Sequence, residues 1–171
     1  PWQIGLVEYD QERLREAYVG EKYDKFAEHF DSFEDYVGFR FSFIWPPLVF
    51  GWLWFLYRRM SREAILFFIL SYLIRKAFSF LPLSDLLMWL LVNFALSLSG
   101  AWLYYKKTEQ QIEKALYMFG DDQPQVIGWL TWNGGVSNWV IFLGIAVILL
   151  KLYFTFLTVL GSAIGMGLRM R

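Results

Sequence analysis

The run from Leu86 to Tyr105 holds about 20 residues without a single charge. As a helix it matches the thickness of a bilayer's hydrocarbon core. It has company: residues 136–166 are apolar but for Lys151, and 41–57 and 64–83 are nearly as poor in polar groups. Over half the chain is hydrophobic (57%), more than a soluble domain of 171 residues has interior to hide. The expected fold is therefore all-α: a polytopic helical membrane protein with three to four membrane-embedded segments behind an amphipathic helical N-terminal region.

Charge divides the chain. Residues 1–40 hold ten Asp or Glu against five Lys or Arg, and the remainder holds six against eleven. An acidic head precedes a basic body with zero net charge, so nothing draws the chain toward nucleic acid. There is no cysteine and one histidine, His29, which excludes disulfides, thiolate sites and histidine-rich metal clusters within the chain. No cofactor is expected. The opening residues lack a basic region followed by a continuous apolar one, so insertion is expected to rely on the internal segments.

In the head, Asp10 reads as the cap of a short helix through about Tyr18, with Gly20 as its stop. A second helix is expected over about 21–37. Its Tyr23, Phe26, Phe30 and Phe33 share one face. That face reads either as packed on its own protein or as a docking helix for a partner or membrane surface. His29, on the polar side, reads as solvated.

Between Phe43 and Met60 the chain reads FIWPPLVFGWLWFLYRRM. Pro46, Pro47 and Gly51 predict a short, proline-broken membrane segment over 41–57, not a straight span. Trp54, Tyr57, Arg58 and Arg59 are expected to anchor it at lipid headgroups, as are Tyr104, Tyr105, Lys106 and Lys107 at the end of span 86–105. The positive-inside rule puts both basic clusters, and with them the N-terminal region, on the cytoplasmic side. Residues 106–135 are expected to form a cytoplasmic helix and loop, turning at Asn133-Gly134-Gly135. Residues 136–171 are expected to form a C-terminal membrane helix with a basic tail.

The string Phe43-Ile44-Trp45-Pro46-Pro47, followed by Gly51, Trp54 and Tyr57-Arg58-Arg59-Met60, resembles the signature of a family of small bacterial membrane proteins known as domain of unknown function 2628, as do Tyr18-Val19-Gly20 and the Gly100…Tyr104 end of a span. The resemblance covers about residues 16–115. It implies a polytopic protein of the bacterial inner membrane and no activity.

Two small-residue faces read as helix packing: Asn93, Ser97 and Gly100 in the third segment, and the Gly161…Gly165 pair in the last. Lys151, deep in an apolar run, is expected to pair with lipid or another subunit. No nucleophile–base pair or phosphate loop appears. By elimination the expected function is non-catalytic: an accessory, scaffold or assembly subunit of a larger membrane complex, whose partners are lipids and other membrane subunits. The alternative is a small channel or transporter subunit using Lys151, Asn93 and Ser97. A lipid-modifying enzyme fits least.

Overall fold

The chain is all-helical among its described residues. In order, the helices are α1 (Gln11–Val19), α2 (Asp24–Glu34), α3 (Trp45–Phe50), α4 (Trp52–Tyr57), α5 (Ser61–Ala77), α6 (Asp85–Phe119), α7 (Gln123–Asn133) and α8 (Trp139–Arg169). The structure, a computed structural model, describes residues 10–34, 38–78, 85–120 and 122–169; for Asp85, 159–160 and 162–169 it describes the backbone alone. Two compact units result, residues 1–137 and 138–171.

Local chemistry explains the boundaries. The Asp10 carboxylate accepts from the Glu12 and Arg13 amides, satisfying donors that the first turn of α1 leaves free. Gly20, at φ +77°, ends α1 and donates its amide to the Glu16 carbonyl. The second helix begins later than its apolar pattern suggests, because a turn closed by the Tyr23 amide on the Gly20 carbonyl intervenes. Residues 35–37, which the sequence assigns to this helix, lie outside the described residues.

Segment 41–57 is extended, then doubly helical. Ile44 has extended backbone (φ −126°, ψ 129°), and α3 starts immediately after it. Pro46 and Pro47 occupy the first turn of α3, where a helix has no use for their missing amide protons. The prolines therefore start a helix instead of breaking one. The break lies at Gly51, whose φ of +56° separates α3 from α4.

Arg75 and Lys76 do not interrupt α5, which runs 17 residues to Ala77 with both cations in its last turn, where the helix dipole favours them. Helix α6 is continuous for 35 residues, about 50 Å. Residues 123–133, in the stretch expected as helix and loop, form α7. Asp122 caps it by accepting the Gln125 amide, and Pro124 falls in the first turn, where proline is tolerated. The Asp-x-Pro signal that stops α6 also starts α7.

The core of the first unit gathers on α6. Against it lie α1, α2, α3 and α7, with Phe30, Phe55, Met60, Tyr104, Val126 and Leu130 fully buried. The second unit is α8, a single helix. Among the described residues, two helices are long and apolar enough to cross a membrane: α6 from Leu86, and α8 over Trp139–Thr158, where mean hydropathy is 2.5.

Candidate functional site

One stripe of α6 organises the first unit. Asn93, Ser97, Gly100, Ala101, Tyr104, Thr108, Ile112 and Ala115 are all buried and recur every three or four residues. Its upper half is a groove of small side chains that takes segment 42–51. There the Ser42 amide donates to the Leu98 carbonyl (3.0 Å) and the Ile44 amide to the Ser97 carbonyl (3.1 Å). The Ser97 hydroxyl returns a hydrogen bond to the Ile44 carbonyl. An extended strand can lie this close to a helix only where side chains are minimal. A Cβ at Gly100 would sit 3.1 Å from Ile44 Cδ1 and 3.2 Å from Pro47 Cγ. Ser97 and Gly100 thus pack against the chain's own FIWPP segment, and Asn93 lies against Gly51 just after it.

Gly51 closes the groove against Asn93. A Cβ there would lie 2.7 Å from Asn93 Oδ1, on a backbone already in the left-handed region. Gly51→Ala is expected to lose about 3 kcal/mol, from backbone strain together with the clash. Asn93→Ala in the same chain should recover only the clash. Thermal unfolding followed by circular dichroism in mild detergent checks both. A full rescue would show that strain plays no part.

The lower half of the stripe is aromatic. The Tyr104 ring lies 5.2 Å from Phe26, 6.0 Å from Phe30 and 6.0 Å from Trp54. Into this cage goes Arg58. Its guanidinium sits 4.5 Å from the Phe26 ring and 5.0 Å from the Tyr104 ring, and Nη1 donates to the Tyr104 hydroxyl at 3.4 Å. Arg58 is 3% exposed, and its buried Nε finds no acceptor among the described residues. Cation–π attraction stands where a carboxylate would be usual.

A second buried arginine is paired. Arg15 Nε donates to Glu109 Oε1 at 2.7 Å and Nη1 to Glu34 Oε2 at 3.3 Å, while the guanidinium lies over Tyr105. Burial works to lower its pKa, but the bonds and charges of Glu109 and Glu34 outweigh that and leave it raised. Nearby, burial pushes the Tyr18 phenol upward; Tyr104 and Glu63 add to the rise and Arg59 opposes it.

These positions correct several expectations. Trp54, Arg58 and Tyr104 are buried and cannot reach headgroups. Tyr105 is half-buried against Phe30 and Phe33. Tyr57 accepts from Lys22, and the half-buried Lys107 pairs with Glu63 at 3.5 Å. Of the eight residues read as anchors, Arg59 and Lys106 alone are exposed; Arg59 donates to the Trp132 carbonyl and Lys106 lies over Trp102. Tyr23, Phe26, Phe30 and Phe33 form no free docking face: all are buried in the first unit's core. His29 is half-buried, with Nδ1 2.7 Å from the Ser42 hydroxyl, not solvated.

Lys151 and Gly161 are exposed on α8, and Gly165 lies outside the residues whose side-chain surroundings are described. Sequence reading missed the Arg15–Glu34–Glu109 pairing. Its one signal was a cation at the buried edge of α1, next to Leu14. No group of acidic or histidine side chains suited to a metal occurs among the described residues.

A family model described as protein of unknown function (DUF2628) matches residues 11–110, more than half the chain. The chain belongs to the DUF2628 family. No curated protein and no solved structure matches it. The DUF2628 match begins with α1 and ends within α6, so it takes in the groove, the Arg58 cage and the Arg15 pairing; α7 and α8 lie beyond it.

Proposed function

We propose that this DUF2628 protein is a non-catalytic accessory, scaffold or assembly subunit of a larger complex in a bacterial inner membrane. On this reading segment 41–57, α5, the first half of α6 and α8 are embedded. The N-terminal region with α1 and α2 sits on the cytoplasmic face. The observation that carries the reading is α5. Only Ala64 is buried along it, while Ile65, Leu66, Phe68, Ile69, Tyr72 and Leu73 are more than half exposed along one broad face, and Phe67, Leu70 and Ile74 complete the circumference. A helix apolar all round belongs in lipid or in a protein interior, not in water.

Energetics favour the same environment for α8. Moving Lys151 out to a headgroup layer would leave Ile141, Phe142, Ile145, Ile148, Leu149 and Leu150 in water, each at least half exposed. That costs about 1.5–3 kcal/mol for each such side chain. One lysine at mid-helix costs about 2.5–3.5 kcal/mol on an insertion scale. Six apolar side chains outweigh one ammonium, so Lys151 enters the bilayer unneutralised by its own helix, and another subunit can neutralise it.

The buried polar groups support a packing role: Ser97, Arg15 and the Arg58 cage are engaged in holding helices together. The channel or transporter alternative draws no support from Asn93 and Ser97, which are covered by segment 42–51. Purification from native membranes in mild detergent tests the subunit reading. A complex well above 20.3 kDa, after subtraction of detergent, is expected. A lone monomer would sink the reading.

A further inference from the structure

We propose that one face of α8 docks a membrane helix of another protein, and that this helix carries a carboxylate at the depth of Lys151. The inference rests on the accessory-subunit reading and names the chemistry of the partner. Lys151, Thr155 and Thr158 follow one another at four and three residues and share a face, with Gly144 seven residues before Lys151 on the same side. Both threonines spend their hydroxyls within the helix: Thr155 donates to the Lys151 carbonyl at 2.9 Å and Thr158 to the Thr155 carbonyl at 2.7 Å. They offer a compact surface without an unmet polar demand of their own. A Cβ at Gly144 would meet nothing within 4 Å, so the face is open to close approach.

Charge decides the occupant. Lys151 lies about 18 Å along the helix from Trp139 and about 22 Å from Met166, which bound the apolar stretch of α8, beyond easy snorkelling toward either. No acidic residue occurs in residues 138–171, and no ion pair reaches Lys151 among the described residues. A second copy of this chain cannot supply the missing charge. Residues 64–84 and 86–108 contain no Asp or Glu either, and Glu63 and Asp85 lie at helix starts. The complement is therefore a foreign helix with an Asp or Glu near its middle, the arrangement that makes an intramembrane ammonium tolerable.

The test uses the full chain in phosphatidylcholine vesicles. A donor dye is attached through Gln110→Cys, an exposed position in a protein without other cysteines. The probe is a synthetic helix of about 20 Leu and Ala residues with one central Glu, carrying an acceptor dye. Energy transfer should report binding about tenfold tighter than for the same helix with a central Leu. Lys151→Met should erase that preference, and Lys151→Glu should transfer it to a helix with a central Lys. Equal binding of the Glu and Leu helices, the result if lipid phosphate neutralises Lys151, overturns the proposal. So does a preference that survives Lys151→Met, or transfer between two labelled copies that the Glu helix does not compete away. The subunit reading is judged separately: a complex from native membranes that persists with Lys151→Met leaves that reading standing while this inference falls.

Discussion

Gly134→Ala is expected to be among the most damaging single-methyl changes in the protein. The added Cβ would lie 2.0 Å from the Tyr18 carbonyl oxygen, 2.7 Å from the Tyr18 carbonyl carbon and 2.8 Å from the Leu130 carbonyl oxygen. All three are backbone atoms, so no side chain can swing aside. Relief requires α7 to move off the end of α1, which breaks the 2.7 Å hydrogen bond from the Gly135 amide to the Tyr18 carbonyl. Overpacking and the lost bond together should cost about 3 kcal/mol. For a chain of this size that lowers Tm by roughly 6–12 °C. Gly128→Ala is the matched control. It lies within α7, nothing is within 4 Å of its added Cβ, and a helical Gly→Ala change should leave stability equal or slightly higher. Thermal unfolding of the two variants in the same detergent decides the matter; equal melting would mean α7 does not bear on α1 as described.

Arg58 yields the second large effect, and its size depends on the substitute. Arg58→Ala empties a buried space between Phe26 and Tyr104 and should cost about 3 kcal/mol, as truncations of large buried side chains do. Arg58→Met keeps most of the volume and removes a cation whose desolvation is offset by two aromatic faces and one long hydrogen bond. Replacing a buried charge by a well-packed apolar side chain is often neutral or better, so Arg58→Met should stay within about 1 kcal/mol of the parent. If Met proves as harmful as Ala, the guanidinium itself holds the cage and the packing account fails. Lysine is no compromise, because an ammonium lacks the flat surface that lies over two rings.

Much of the fold was legible because its signals are local. Asp10 and Gly20 announce the ends of α1 through the orphan amides and carbonyls of any helix terminus. The uncharged run after Leu86 announces α6 through hydropathy. The motif residues announced the family, since Trp54, Tyr57, Arg58 and Arg59 lie close together in one string, and a string needs no third dimension. The misread elements involve groups whose meaning depends on what comes back to meet them. The prolines read as a break, yet proline breaks a helix only in its interior, and the chain starts α3 at Trp45. Residues 123–133 fell in the stretch expected as helix and loop, because Asp122 and Pro124 suit the end of one helix as well as the start of the next. Asn93, Ser97 and Gly100 were visible as a small stripe, but not that the extended backbone of residues 42–44 fills it.

The neighbouring arginines show where sequence ends and tertiary structure begins. Composition and run length alone determined that the chain is helical and apolar, and that cations gather where α4 ends. They could not distinguish Arg58 from Arg59: same residue type, adjacent in the chain, both after Tyr57. Tertiary structure separates them. Arg59 takes φ +58°, turning the chain so that its side chain reaches outward to the Trp132 carbonyl. Arg58 is left facing Phe26 from α2 and Tyr104 from α6, brought there from 32 residues before it and 46 after. Hydropathy assigns both to the surface because burying a charge is expensive. Only the assembled cage, with two aromatic faces meeting one guanidinium, makes the buried position tolerable.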